Sequence, residues 1–288
     1  MMTERLFQRG ANKISFRPRF SGIFLDAHVR SRYCHLTLCR KANSVMDELL
    51  KDLAPTGRVR VGINYGNPVL AKKDPGSGEF RGVAVDLARE LGTRIHVPVE
   101  LVGYDSAGKM FEAVKAGAWD VAFLAIDPGR ADEIDFTAPY VEIEGTYLVP
   151  AGTPYRLVGD VDQPDVRIGV SAKSAYDLFL SRSIQRAELI HASGPDAAFA
   201  LLLAGKVDVL AGVRQHLVAN AAKIPGSRVL DDRFMAIQQA LGIVKGRVEG
   251  AKYLREFIED VKASGLVKRA LERSGVSGVS IAPAAPTE

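Results

Sequence analysis

In LAIDPGRADEIDFTAPY, residues 124–140, an apolar run ends at Asp127-Pro128-Gly129 and a single arginine, Arg130, follows the turn. A guanidinium is a planar fork able to make two parallel hydrogen bonds to a carboxylate, which lysine cannot reproduce. From the residues alone two uses stand open: gripping an anionic ligand beyond a strand end, or pairing at the surface with Asp132 or Asp135. Other reactive patterns are absent or weak. There is no P-loop, no GxSxG and no HExxH, and the five histidines are scattered, with His96, His191 and His216 reading as structural residues. Cys34 and Cys39 form a C-x4-C with no second ligand pair. Gly76-Ser77-Gly78 with Gly82 has the wrong spacing for a dinucleotide site and reads as a surface turn. No metal or cofactor is implied.

An arginine at a strand end needs a strand to hold it, and the chain has material for several. Its 288 residues, 47% hydrophobic and 25% charged, can bury one large core or two smaller ones. No run of 18 apolar residues exists, so no membrane insertion is expected. The charge is unevenly placed. Nine Lys/Arg against Glu4 and Asp26 give residues 1–45 a net charge of +7, so of the chain's +4 the rest carries −3. That mildly acidic body speaks against nucleic acid as a partner. The basic segment does not read as a convincing secretory signal, because its best apolar stretch, Gly22-Ile23-Phe24-Leu25, ends at Asp26, and its Arg-rich, acid-poor composition also fits an organelle transit peptide. Residues 1–57 are expected to be a basic extension, poorly ordered up to 45, with a short helix from Met46 leading into the first strand.

Two segments recur in the same order. Val59-Arg60-Val61-Gly62-Ile63 returns as Val166-Arg167-Ile168-Gly169-Val170, and Ala116-Gly117-Ala118-Trp119-Asp120-Val121 returns as Ala204-Gly205-Lys206-Val207-Asp208-Val209. Short apolar runs of this kind read as buried parallel strands, and each Ala-Gly as a helix end with glycine in the left-handed position. The pattern predicts helices over 106–116, 174–184 and 195–204. It predicts strands over 97–102, 120–126, 187–191, 207–212 and 241–244. One or two helices follow over 249–274, interrupted at Gly265. Alternation at this spacing, twice over, predicts two similarly built α/β lobes.

From about Arg58 to Gly275 the chain resembles the family 3 solute-binding proteins of ABC transporters, the amino-acid-binding group with a type II periplasmic-binding fold. The resemblance rests on the opening V-R-V-G strand, G-V-A-V-D-L-A-R-E-L, the A-G-x-x-D-V repeats, R-x-x-x-x-D-F-T-x-P-Y and K-x-S-G-L-V-K-R-A-L, in that order. It implies two lobes joined by two crossover segments. Lobe 1 would comprise 58–142 plus 239–275, lobe 2 would comprise 143–238, and 276–288 would be a flexible tail. It also implies that Arg130 grips a ligand carboxylate, with Ala125 and Asp127 beside it beyond the strand end. On the other lobe, Lys173 and Ser174 would form the mouth of a helix, where free N–H groups attract anions and Ser174 can also serve as a plain N-cap. Asn64 and Tyr65 follow the first strand, and Tyr104 reads either as a substitute for an aromatic wedge whose usual place is taken by Ala107 or as a surface-loop tyrosine. Two departures stand out. Asp127 replaces a usual threonine, and the acidic residue that receives an α-ammonium group is replaced by Val213, next to Arg214.

The reading that follows is a non-enzymatic receptor for a small carboxylate-bearing solute, an amino acid or related organic acid, captured between two lobes for ABC-type transport. It would be a monomer partnered by an ABC permease. A rival is a lyase similar to cyclohexadienyl dehydratases, with Asp127, Glu142 or Glu144 as proton donor. A third is a cytoplasmic ligand sensor. The resemblance implies a periplasmic location, whereas the missing export signal implies the cytoplasm if the chain is complete as given.

Overall fold

The computed structural model describes residues 44–286. The expectations for the basic segment up to residue 43, Cys34 and Cys39 included, lie outside the described residues. Helix α1 (44–53) leads into β1 (Val59–Asn64), a small hairpin β2 (Lys72–Lys73) and β3 (Phe80–Arg81), and helix α2 (Val83–Arg94). Strand β4 (Val99–Tyr104), helix α3 (Ala107–Glu112) and strands β5 (Val121–Ala125) and β6 (Ile134–Phe136) complete this stretch. Strand β7 (Val141–Val149) then crosses into the second half, made of β8 (Arg167–Ser171), α4 (Ala175–Ser183), β9 (Glu188–Ala192), α5 (Pro195–Leu203), β10 (Val209–Val213), α6 (Arg214–Ala221) and β11 (Arg228–Val229). Strand β12 (Met235–Val244) returns, followed by α7 (Val248–Ala263), α8 (Leu266–Arg273) and β13 (Ser280–Ile281).

The strands run β4-β1-β5-β12-β7-β10-β8-β9, with β6, β11 and β13 added at the sides. Parallel pairing of β4, β1 and β5 makes one lobe, and parallel pairing of β10, β8 and β9 makes the other. The antiparallel strands β7 and β12 join them, pairing with each other from Val141↔Gln239 to Gly145↔Met235. Beyond that shared segment, β12 pairs with β5 and β7 pairs with β10, so each belongs to both lobes.

The doubled motifs build the same clamp twice. Arg60 donates from its backbone N and Nε to Asp120 Oδ2 and from Nη2 to Asp120 Oδ1, while Nη1 reaches the Gly117 carbonyl. Arg167 does likewise with Asp208, reaching the Gly205 carbonyl. In each lobe, therefore, the arginine of the first strand holds the residue that opens the strand beside it. Gly265, in the left-handed conformation at φ 72°, separates α7 from α8 at the predicted break.

Three expectations need correction. The helix predicted over 106–116 is the shorter α3, because a Val114 N to Phe111 O bond tightens the chain before Gly117 turns it at φ 60°. The strand predicted over 241–244 is the last part of the ten-residue β12. Its polar hinge residues Gln238 and Gln239 mask the strand pattern. The segment expected as a flexible tail packs back through residue 286: Ser280 and Ile281 pair with Glu142 and Val141 of β7, and Ala282 is buried.

Candidate functional site

Arg130 is placed by a turn that its own neighbours close. Asp127 Oδ1 accepts from Gly129 N at 2.8 Å, and the Asp127 carbonyl accepts from Arg130 N at 3.0 Å and Ala131 N at 3.1 Å. This is the Asx geometry that Asp-Pro-Gly favours. The side chain then turns inward and is fully buried. Nη1 donates to the Ala125 carbonyl at 2.9 Å and Nη2 to the Lys173 carbonyl of the other lobe at 2.7 Å. Nε has no partner. Burial lowers the guanidinium pKa to about 10, with Asp127 opposing the shift, so the group stays charged at neutral pH.

Arg130 lines a cavity between the lobes. From the first lobe come Asn64, Asn67, Leu70, Ser106, Phe123 and Ala125; from the second come Ser171, Ser174, Tyr176, Val213 and His216; β12 contributes Ile237 and Gln239. The lobes are closed over it. Besides the Arg130–Lys173 bond, Arg182 Nη2 meets Asp127 Oδ2 at 2.8 Å and the Lys173 ammonium pairs with Glu112. A Cβ at Gly108 would lie 2.4 Å from the Ala172 carbonyl oxygen, so only glycine allows this approach.

Of the residues singled out in the sequence, the cavity brings together Arg130, Ala125, Ser174, Asn64 and Val213. Ser174 caps α4, accepting from Asp177 N at 3.1 Å, and still faces the cavity. Asp127, Lys173, Tyr65 and Tyr104 are not among the lining residues. Asp127 is taken by Arg182, and Lys173 contributes its carbonyl rather than its charge. Tyr65 stacks on Phe80 at 5.9 Å, and Tyr104 packs against the cluster around Met110 and Trp119. Arg214, beside Val213, is held by Glu144 and by the carbonyls of Leu230, Asp231 and Asp232.

Sequence reasoning missed Asn67, Ser106, Tyr176, His216 and Gln239. His216 was read as structural, yet it lines the cavity from the first turn of α6; burial, the largest influence, lowers its pKa. Its place three residues after Val213 at a helix start was the available signal. Burial likewise pushes the Tyr176 phenol up to about 12, partly offset by Ser174 and Ser171. Gln239 carried no signal, because its role arises where β12 crosses between lobes.

Among the described residues no carboxylate lines the cavity, and no group of His, Cys, Asp or Glu could hold a metal ion. The arrangement can bury a small anion against one guanidinium, with neutral donors around it.

The model of the family described as bacterial extracellular solute-binding proteins, family 3, matches residues 59–275. A glutamine-binding protein of Geobacillus stearothermophilus is 23% identical over 205 residues, covering 68% of this chain and 76% of that one. The ancestral amino acid-binding protein AncCDT-1, a precursor of cyclohexadienyl dehydratase, superimposes with TM-score 0.65 at 24% identity, covering 79% of this chain and 98% of that chain. An amino acid ABC transporter substrate-binding protein of Streptococcus pneumoniae, solved bound to L-arginine, gives TM-score 0.67 at 20% identity, covering 77% and 96%.

Proposed function

Because the chain belongs to the bacterial extracellular solute-binding proteins of family 3, we propose that it captures a small carboxylate-bearing solute between its lobes and delivers it to an ABC permease. The observation that carries this reading is Arg130: fully buried, charged, facing a closed interlobe cavity, with Nε unpartnered among the described residues. A buried cation is strongly unfavourable without a counter-charge. Two of its five N–H groups serve carbonyls, which leaves Nε–H and one N–H on each terminal nitrogen for a ligand. Solute enters the open form, the carboxylate meets Arg130, and contacts from both lobes then favour closure. The closed state gains only what the ligand's better interaction with it supplies.

Micromolar binding corresponds to about −8 kcal/mol, and one charge-assisted hydrogen bond contributes about 1.5–3 kcal/mol. Arg130 is thus the largest single contributor and not sufficient alone. For the strongest hit of a thermal-shift screen of amino acids and organic acids, Arg130→Ala is expected to weaken binding at least about tenfold by calorimetry, or about 1.4 kcal/mol. Circular dichroism should stay unchanged. Equal affinity in the variant would defeat the assignment.

The reading is of a receptor without turnover, acting as a monomer outside the cytoplasm. The three carboxylates that a lyase on this scaffold would draw on are engaged elsewhere. Asp127 holds Arg182, Glu142 accepts from Gln238, and Glu144 pairs with Arg214 and Arg233. Incubation with prephenate or arogenate should leave their absorbance unchanged, and fractionation of the native host should place the protein outside the cytoplasm.

A further inference from the structure

The polar groups around the cavity are biased toward donation. Asn64 Oδ1 accepts from Gly66 N at 3.1 Å, and Asn67 Oδ1 from Val69 N at 3.3 Å. Each amide therefore has its Nδ2 hydrogens left to offer. Ser106 Oγ accepts from Lys109 N at 3.3 Å, so its hydroxyl is free to donate, whereas Ser174 Oγ accepts from Asp177 N at 3.1 Å and its hydroxyl serves the Tyr176 phenol. The carbonyls nearest the guanidinium, those of Ala125 and Lys173, already accept from Arg130. Charge points the same way. Arg130, Asp127 and Arg182 together hold one net positive charge, and no carboxylate lines the cavity among the described residues.

A zwitterion would leave that positive charge unbalanced and would add an ammonium, with three donors and no acceptor capacity. Its neighbours would be Gln239, Ser171 and His216, all neutral acceptors. Burying a cation without an anionic partner is strongly unfavourable. An anion rich in acceptors meets both conditions. We propose that the solute is a monocarboxylate without an ammonium group, a 2-oxo or 2-hydroxy acid with an apolar or amide-bearing chain, in place of an α-amino acid. This rests on the receptor reading above and on Arg130 as its carboxylate site. The C2 oxygen would be received by the donors of Asn64, Asn67 or Ser106, and the chain would lie against Leu70, Phe123 and Ile237.

The test titrates the full chain with matched acids by calorimetry: phenylpyruvate, L-phenyllactate and L-phenylalanine; 2-oxopentanoate, L-2-hydroxypentanoate and L-norvaline; 2-oxoglutaramate and L-glutamine. In whichever skeleton binds best, the oxo or hydroxy acid is expected to bind at least about tenfold more tightly than the amino acid, a difference of about 1.4 kcal/mol. Val213→Asp places a carboxylate at the cavity wall and at the start of α6. Aspartate is favoured at a helix N-cap, so the variant is expected to fold, and it should shift the ratio toward the amino acid by about tenfold or more. A wild-type preference below tenfold, or one for the amino acid, overturns the inference; if Arg130→Ala still abolishes that binding, the receptor reading survives. Binding indifferent to Arg130→Ala overturns both, whereas the absence of binding by every acid in the series overturns this inference and leaves the receptor reading to the broader thermal-shift screen.

Discussion

Arg130 and Asp127 sit three residues apart and do different work. Arg130 faces the cavity, whereas Asp127 both closes the turn that aims Arg130 and reaches across the cleft to Arg182. The Arg182 side chain is 51% exposed, so solvent screening holds this pair to under about 1 kcal/mol. The bond joins the two lobes, so opening them would have to break it. Arg182→Gln should therefore weaken solute binding by about two- to fivefold, with the thermal midpoint of the solute-free protein nearly unchanged. An unchanged affinity would show that the pair plays no part in closure. Lys173→Ala should have a smaller effect than Arg130→Ala, because its contribution to the site is a backbone carbonyl that the substitution retains.

At the scale of elements, the twin clamps differ in burial. Asp120 is fully buried and also meets Arg247, whereas the Asp208 side chain is 37% exposed. Removing one partner of a buried pair leaves the others uncompensated, and Asp120→Ala should lower stability by about 3 kcal/mol in urea unfolding. Asp208→Ala should move the midpoint much less; an equal loss would contradict the burial argument. Acid should act through carboxylates held by donors. The Asp208 pKa is lowered mainly by the hydrogen bond from Arg167. That of Asp162 is raised by burial but lowered on balance by the backbone N–H groups of Ala187, Arg186 and Gln185. A pKa depressed in the folded state stabilises the protein above the unfolded value, here 3.8, and that contribution is lost as pH falls through the folded values. The thermal midpoint should drop on acidification through this range, and Asp162→Asn should flatten the drop.

Across the whole molecule, the C-terminal segment ties the hinge. Strand β13 pairs with β7 at Val141 and Glu142, Ala282 N donates to the Tyr140 carbonyl, and Lys262 Nζ donates to the Pro283 carbonyl. Gln215 of the second lobe reaches the Ser277 and Gly278 carbonyls at 3.1 and 2.9 Å. The segment thus touches both lobes beside the strands that join them. Deleting residues 276–288 should increase the radius of gyration of the solute-free protein in small-angle scattering and weaken solute binding. An unaltered scattering profile would show that the segment leaves the opening equilibrium untouched.

Several features were legible along the chain because they are local or repeated. The Val-Arg-x-Gly strands, the Ala-Gly helix ends, the break at Gly265 and the turn that aims Arg130 depend on residues within a few positions of one another. The repeats Asp120 and Asp208 recur at matching places for the same reason, since each holds the arginine of the strand beside it. What lay beyond the sequence depends on contacts between distant segments. Gln239 and His216 enter the cavity only because β12 crosses between lobes and α6 starts at its rim. Asp127 reads from the sequence as a cavity residue, but Arg182, 55 positions away, holds its carboxylate. The sequence by itself determined an α/β chain with an arginine at a strand end. The tertiary structure decided that this arginine is buried, that its nearest carbonyls are already engaged, and that no carboxylate among the described residues joins it in the cavity, because closing two lobes brings together side chains that no local pattern relates.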